Sequence, residues 1–356
     1  MHNISFILIG TILVSLILVS FASVIVASTT VESTSSNWYV SINPSQVTLI
    51  VGPTNSSYIV HELKEANTSV YSEIYELTCT KVADALAELA KQGINVYVVL
   101  SGNVYGGIPS DEYQCVNLLN SSGVHVKFLY GFTFVHSKVY VIDNSTVILG
   151  SINPTYYGMH IDKSVDIAIH NSSIAKVYAG IILRDFKNEG VNSINYPGIV
   201  VSPINSYYHI SDLLSQQGTL YVAMEELYPS SNLFSKIASH KTVIGVVSDY
   251  SEDSEASSQF GLKQLHDMVA KVIVVGNYVY VGSINLDSTS LTENRELGII
   301  IKDPLLASEL KHLILQWGGE PHHISLFYKY RDYIIISIVI ILILIGITLR
   351  RYRKNK

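Results

Sequence analysis

Between an apolar stretch at each end, the chain alternates short apolar runs with amphipathic ones, and it does so twice. The first series runs VTLIVGP at 47–53, SYIVHELKEA, SVYSEIYELT, VADALAELAKQG and INVYVVL. The second runs GIVVSP at 198–203, SYYHISDLLSQQ, TLYVAMEELY and, after a short polar or helical segment, TVIGVVSD. Apolar runs of strand length, bounded by turn formers and separated by segments with helical spacing, predict α/β layers. Residues 49 and 199 match in role, as do 69 and 219, both at a spacing of 150. Each series closes with a strand, a tight turn and a strand: FVHSKVYVIDNSTVILGSINPT, then MVAKVIVVGNYVYVGSINLDS. Asp143-Asn144 and Gly276-Asn277 are the expected hairpin turns. A repeat on this scale predicts two related halves, 37–190 and 196–318, joined by a linker at Asn188–Tyr196. The second half lacks a counterpart to much of 111–130, which reads as the loss of one helix–strand unit. Residues 251–258 (SEDSEASS) read as a polar loop there.

The two ends change the picture of where these halves reside. Phe6 to Ala27 carries no charge and matches the ~20 apolar residues a spanning helix needs. Residues 1–28 are therefore a membrane anchor or a secretory signal ending near Ala27 and Ser28. Tyr333 to Leu349 is a second apolar run, expected to be a transmembrane helix over 333–349. The basic segment 350–356 follows it, with Arg350, Arg351, Arg353, Lys354 and Lys356. By the positive-inside rule this tail is cytoplasmic and the body extracytoplasmic, held at the cell membrane. Acceptor sequences for N-glycosylation at Asn55, Asn67, Asn120, Asn144 and Asn171 agree with that placement. Outside the cell Cys79 and Cys115 could pair; they could equally be two unrelated buried thiols.

Hydrophobic residues make up 48% of the chain and charged residues 15%, well below the quarter charged of an average soluble domain. The tail holds five of the 23 basic residues, so residues 1–349 carry 29 acidic groups against 18 basic ones. Nucleic-acid affinity comes mostly from lysine and arginine on phosphates, so nucleic acid is an unlikely main partner.

The closing blocks carry the candidate chemistry. The first contains His136, Lys138 and Asp143, then Gly150, Ser151 and Asn153, in the pattern H-x-K-x4-D followed by G-S-x-N. The second keeps Lys271, Gly282, Ser283 and Asn285, followed by NLDSTSLTENRELG, but has Val269 in place of histidine and Gly276 in place of aspartate. Over residues 45 to 303 the chain resembles the phospholipase D superfamily, with a complete first motif and a degenerate second one. The resemblance implies two phospholipase D-like halves, each a mixed β-sheet flanked by helices, packed as a pseudo-dimer within a monomer. The resemblance implies a phosphodiester substrate, and tethering beside a bilayer favours phospholipid as its class.

Strand alternation puts His136 and Lys138 on one face. A pseudo-twofold axis would bring Lys271 to the same pocket, where Lys138, Lys271, Asn153 and Asn285, with Ser151 and Ser283, surround one phosphate. The lysines supply the positive charge, so no metal or other cofactor is implied. His136 would attack phosphorus to give a phosphohistidine. Its second ring nitrogen needs an acceptor, and Asp166 in KSVDIAI is the candidate, in the role that Glu296 holds in NRELGII. Asp143, within the motif's catalytic set, is expected to buttress the hairpin.

The family reaction uses a second histidine as general acid and base, and Val269 can be neither. Loss of such a group costs ~10²–10⁴-fold in rate. His266, His160 and Glu296 are the candidate substitutes. His322-His323 reads as a linker rather than a metal site. Two readings remain open: a membrane-anchored phosphodiesterase or phosphatidyl-transferase, and an impaired pseudoenzyme that binds phosphate groups of lipid or surface polymer.

Overall fold

The computed structural model describes residues 37–228, 233–323, 335–345 and 347. The apolar run at 6–27 and the basic tail lie outside them. Residues 335–345 are helical, and no helix among the described residues is long and apolar enough to cross a membrane.

The chain is mixed α/β with two sheets. In the first half, β1 (Val40–Ser41), β2 (Val47–Gly52), β3 (Ser69–Ile74), β4 (Asn95–Ser101), β5 (His125–Leu129), β6 (Lys138–Ile142), β7 (Thr146–Gly150) and β8 (Ser164–His170) follow in sequence. Seven of them form one sheet in the order β2-β8-β7-β6-β3-β4-β5. Only the β3–β4 and β4–β5 pairs are parallel, as expected where the helices Thr80–Lys91 and Ser110–Ser121 connect the strands. β6 and β7 are buried along their whole length. Their near-continuous apolar runs are what strands covered on both faces require.

The second half repeats this order with β9 (Ile199–Ser202), β10 (Leu220–Met224), β11 (Thr242–Ser248), β12 (Lys263–Leu265), β13 (Lys271–Val275), β14 (Tyr278–Gly282), β15 (Glu296–Lys302) and β16 (Pro321–His323). Its central path is β15-β14-β13-β10-β11-β12, with β9 on β15 and β16 on β11. The 150-residue offset holds in space. Ile74 pairs with Lys138 as Met224 pairs with Lys271, and Gly52 pairs with Ser164 as Ser202 pairs with Glu296.

Three expectations need correction. The unit expected to be lost is shortened instead. Residues 251–258 are not a loop but a 3-10 turn, Ser251–Asp253, running into the helix Ser254–Phe260, and β12 follows. The function of the missing length survives: Glu112 accepts the backbone N–H of Leu77, and Asp253 that of Leu227. The boundary at residue 37 is also crossed, because β1 pairs with the second half's β15 and Trp38 packs in that half's core. The His322-His323 pair is not a linker but part of edge strand β16, paired with Val243 and Thr242 of β11.

Each sheet has an outer core under its own helices, built on Ile59, Leu63, Val82 and Leu86 in the first half and on Ile210, Leu213, Phe234 and Phe260 in the second. Cys79 and Cys115 are free thiols in the first of these. The inner faces meet in a third, shared core, where Val147, Leu149 and Ile167 pack in one cluster with Val272, Val279 and Ile299. The helices Ser172–Lys187 and Pro304–Gln316 contribute to it. Both begin the same way, with Asn171 and Asp303 capping the first backbone N–H groups. This shared core sets the ends of β6 and β13 toward one cleft.

Candidate functional site

The site begins where the segment before β6 meets the segment before β15. The Arg295 N–H donates to the Phe134 carbonyl at 2.9 Å and the His136 N–H to the Arg295 carbonyl at 2.8 Å. This short ladder sets His136 beside the start of β15. There its Nδ1 lies 3.1 Å from both oxygens of Glu296. Glu296 is fully buried and also accepts from the Asn294 side chain at 2.9 Å. The orienting acid therefore comes from the other half. Burial would raise Glu296, but His136 and Lys138 outweigh it and hold the carboxyl below its ordinary value. Burial lowers His136, with Glu296 opposing and Lys138 adding to the effect. The pair is best described as neutral imidazole donating its Nδ1 proton to carboxylate. That leaves Nε2 with a lone pair, as a nucleophile needs.

Asp166 does not hold His136. Gly150 pairs with Asp166 where Gly282 pairs with Gly298. The Ser151 N–H donates to Val165 as the Ser283 N–H donates to Leu297. Asp166 is thus the counterpart of Gly298, and Ser164 is the counterpart of Glu296, two residues from where the sequence comparison puts it. Asp166 instead accepts the Ile152 N–H at 2.9 Å, the bond that the Tyr280 hydroxyl takes from Ile284 in the other half. It is a buried structural group, and burial pushes its pKa up to about 7. Val269 and Ser164 then mark one coherent loss: the second histidine and its acid are both gone from this half-site.

The two motif lysines are fully buried and equivalent. Lys138 Nζ donates to the His136 carbonyl at 2.7 Å and Lys271 Nζ to that of Val269 at 3.0 Å. Lys138 sits 5.1 Å from the centre of the Tyr75 ring, a cation–π contact. Lys271 instead forms an ion pair with Glu225. Burial would raise Glu225, and Lys271 more than reverses it, so this carboxyl lies below its ordinary value. Burial and Lys271 together bring Lys138 down to about 7.

Beside His136 lies a cavity of about 660 Å³, and neither of the buried lysines is in its lining. His136, Asn153 and Asn285 line it, as expected, together with Glu225, Glu226 and Asp287, which sequence reasoning missed. No motif marks the two glutamates, which follow β10 and are brought in by its pairing with β13, whereas Asp287 lies in the loop after β14, two residues past Asn285. Ser151 and Ser283 are not phosphate ligands. Each hydroxyl is buried and bonds across to the backbone of Val165 or Leu297. Gly150 and Gly282 precede them because a Cβ there would lie 2.2 Å from the Val165 carbonyl or 2.6 Å from Gly298 Cα. Asp143 does not reach the cavity. Its carboxylate accepts the N–H groups of Asn67, Thr68 and Ser69 at 2.8–3.0 Å, which makes it the hairpin buttress expected. Of the proposed substitutes for the lost histidine, His266 is 94% exposed and bonded to Asp249. His160 is exposed and stacked on Tyr156. Glu296 is committed to His136.

A family model described as "Cardiolipin synthase, PLD-like domain" matches residues 59–186 and 225–316, more than half of the chain. The chain belongs to the phospholipase D-like family. Among solved structures, the phosphatidylserine synthase of Haemophilus influenzae Rd KW20 superposes with a TM-score of 0.62 at 13% identity, over 81% of this chain and 90% of that one. The polyphosphate kinase of Porphyromonas gingivalis gives 0.60 at 15% identity, over 76% of this chain and 46% of that one. At such identities the likeness is one of fold. No curated protein matches the sequence. Within the phospholipase D-like family this chain departs from the two-histidine pattern on one side only, and it does so at both members of the pair.

Proposed function

We propose that this phospholipase D-like protein cleaves or transfers a phosphodiester through a phosphohistidine on His136, with phospholipid as the favoured substrate class. The observation that carries the reading is the contact of His136 Nδ1 with Glu296 at 3.1 Å, made from one half to the other. It fixes the tautomer and turns Nε2 into a nucleophile. Lys138, Lys271, Asn153 and Asn285 are the phosphate-binding groups, offering charge-assisted and neutral hydrogen bonds to the phosphoryl oxygens. The apolar ends of the chain, with basic residues following the second, support a body tethered outside the cell membrane and a cytoplasmic tail. Such a tether would present the cleft to lipid head groups.

The test is to quench the full chain during reaction with a radiolabelled phosphodiester and look for acid-labile phosphate on the protein. Label that is absent in His136→Ala supports the reading; no label on either protein, under conditions that give product, sinks it.

A second reading has its own observation. Val269 and Ser164 together remove a histidine–acid pair, and the ion pair with Glu225 uses part of the charge of Lys271. This pattern suits a protein that holds a phosphate group without turning it over. It predicts saturable binding of a phosphodiester with neither label nor product.

A further inference from the structure

A phosphohistidine mechanism with one histidine lacks a proton carrier on the leaving-group side. In an in-line displacement that group must stand across the phosphorus from His136, and so on the second half. Ladder pairing there runs from Met224–Lys271 to the Glu225 N–H donating to the Ala270 carbonyl at 3.0 Å. Glu226 follows at the end of that ladder, and its carbonyl accepts the Leu286 N–H at 3.0 Å. The Glu226 N–H donates to Asn285 Oδ1 at 3.3 Å, which ties its backbone to a phosphate-binding asparagine. Its side chain lines the cavity that His136 lines.

The other acids of the cavity are tied to other groups or face solvent, Asp287 through one oxygen only, its Oδ2 being buried without a hydrogen-bond partner. Glu225 is held ionised by Lys271. Asp287 caps the helix Ser288–Thr292 by accepting the Ser290 N–H at 3.0 Å. Glu252 is exposed. Glu76, the first-half counterpart of Glu226, lies on the histidine's own side. Resting on the phosphohistidine reading above, we propose that Glu226 is the general acid and base that replaces the missing second histidine.

The groups facing it suit that task. Burial, the neighbouring Glu225 and Asp287 favour its neutral form, while Lys271 and the Tyr228 hydroxyl oppose; the balance puts its pKa at about 7. A proton carrier works best when its pKa lies near the operating pH.

In the first step His136 Nε2 bonds to phosphorus and the bond from phosphorus to the leaving oxygen breaks. Glu226 gives its proton to that oxygen, so a neutral alcohol departs and a carboxylate remains. In the second step water attacks phosphorus and loses a proton to the Glu226 carboxylate. The phosphorus–nitrogen bond breaks, its electron pair returns to Nε2, and the phosphomonoester leaves with Glu226 protonated again. An acceptor alcohol in place of water gives transfer.

The test uses the full chain, two radiolabelled phosphodiesters and rapid quench. One ester has a nitrophenol leaving group, which needs no proton, and the other an alkyl alcohol. Glu226→Gln is expected to label with the nitrophenyl ester within a few-fold of wild type, which also shows that the variant is folded. Labelling by the alkyl ester is expected to fall ~10²–10⁴-fold. The nitrophenyl label is expected to decay by a similar factor more slowly, so phosphoenzyme accumulates. In the wild type, alkyl-ester labelling should decline above about pH 7 relative to nitrophenyl labelling; this readout does not depend on the variant folding. Alkyl-ester labelling and label decay unchanged in Glu226→Gln, or identical wild-type pH profiles for the two esters, would overturn the assignment and leave the phosphohistidine intact. No label on the wild type from either ester would overturn the phosphohistidine reading, and this inference with it.

Discussion

At the scale of single residues, the site's electrostatics make a prediction about binding. Lys138 is fully buried beside Lys271, which puts its pKa at about 7. A bound phosphodiester favours the charged ammonium and raises that value. Affinity for a non-hydrolysable phosphodiester should therefore be highest below pH 7 and weaken as pH rises through it, with a proton taken up on binding above pH 7. Calorimetric titrations at pH 6 and 8, in two buffers of different ionisation enthalpy, check this. Affinity independent of pH over that range would show that Lys138 is charged before the ligand arrives.

Individual residues also show what could and could not be read from sequence. His136, Lys138, Lys271, Asn153 and Asn285 were legible because the motif spacing puts them on strand ends and the following loops, and the structure keeps them there. The acid behind His136 was not. A strand repeats every two residues, so a comparison slipped by two keeps every side chain on its proper face. KSVDIAI can thus be laid on NRELGII with Asp166 over Glu296 at no cost to the hydrophobic pattern. Only ladder partners, Gly150 with Asp166 and Gly282 with Gly298, reveal the slip. Crossing of the acid between halves was equally hidden, because it depends on packing and not on spacing.

At the scale of elements, the hairpins were predictable and the uses of their turns differ. Asp143 adopts a left-handed backbone with φ of 53° and accepts three backbone N–H groups from Asn67 to Ser69. Those bonds lower its pKa despite the opposing effect of burial. In the second half Gly276 takes the same left-handed backbone with φ of 60° but offers no acceptor. Asp143→Ala should destabilise the chain by about 1 kcal/mol, since it removes a charged acceptor from three N–H groups of which two are exposed to water, and leave the rate of His136 labelling unchanged. Urea denaturation together with the labelling assay checks both parts. A labelling rate that fell with stability intact would return Asp143 to the catalytic set. The shortened helix–strand unit of the second half could not be read from polar composition alone. Ser254–Phe260 buries Ala256 and Phe260, too few apolar positions for a helical period to stand out.

At the scale of the whole molecule, the halves are joined at the site by a buried charge pair. Arg295, next to Glu296, donates through Nη2 to Asp185 at 2.9 Å and through Nη1 to the Ser202 carbonyl at 3.2 Å. Asp185 belongs to the helix Ser172–Lys187 of the first half, and both residues are almost wholly buried. Asp185→Ala removes the ion-pair partner of a buried guanidinium, leaves it the nearby buried Glu73 carboxyl, and should cost up to about 3–5 kcal/mol. Because Arg295 also anchors the ladder to His136, labelling should fall in the same variant. Thermal unfolding read beside labelling tests the link; a stable variant with normal labelling would show that the pair positions nothing.

The buried carboxyls predict how global stability follows pH. Burial raises Asp162 and Asp253 to about 6, and Glu112, Asp166 and Glu226 to about 7. A carboxyl with a raised folded pKa stabilises the fold when protonated, and that contribution is lost as pH climbs from its unfolded value near 4 to its folded value. The lowered carboxyls of Asp143, Glu225 and Glu296 act the other way, below about pH 4. The buried His136 and His209, whose values are lowered, oppose the gain below about pH 6.5, and Lys138, brought down to about 7, opposes it near that pH, but the five raised carboxyls outnumber them. The melting temperature should therefore be higher at pH 5 than at pH 7.5, and a flat or reversed profile would contradict these burial assignments.

The central claim is that the nucleophile is assembled across the two halves, His136 from one and Glu296 from the other. The most direct measurement is the rate of acid-labile phosphate formation from a nitrophenyl phosphodiester in Glu296→Gln and in Asp166→Asn, side by side with wild type. The cross-half arrangement predicts a ~10²–10⁴-fold loss in Glu296→Gln, where Asn294 holds the amide oxygen and the amide NH2 facing Nδ1 favours the wrong tautomer, and a near wild-type rate in folded Asp166→Asn. The reverse order, with Asp166→Asn slow and Glu296→Gln normal, would contradict it.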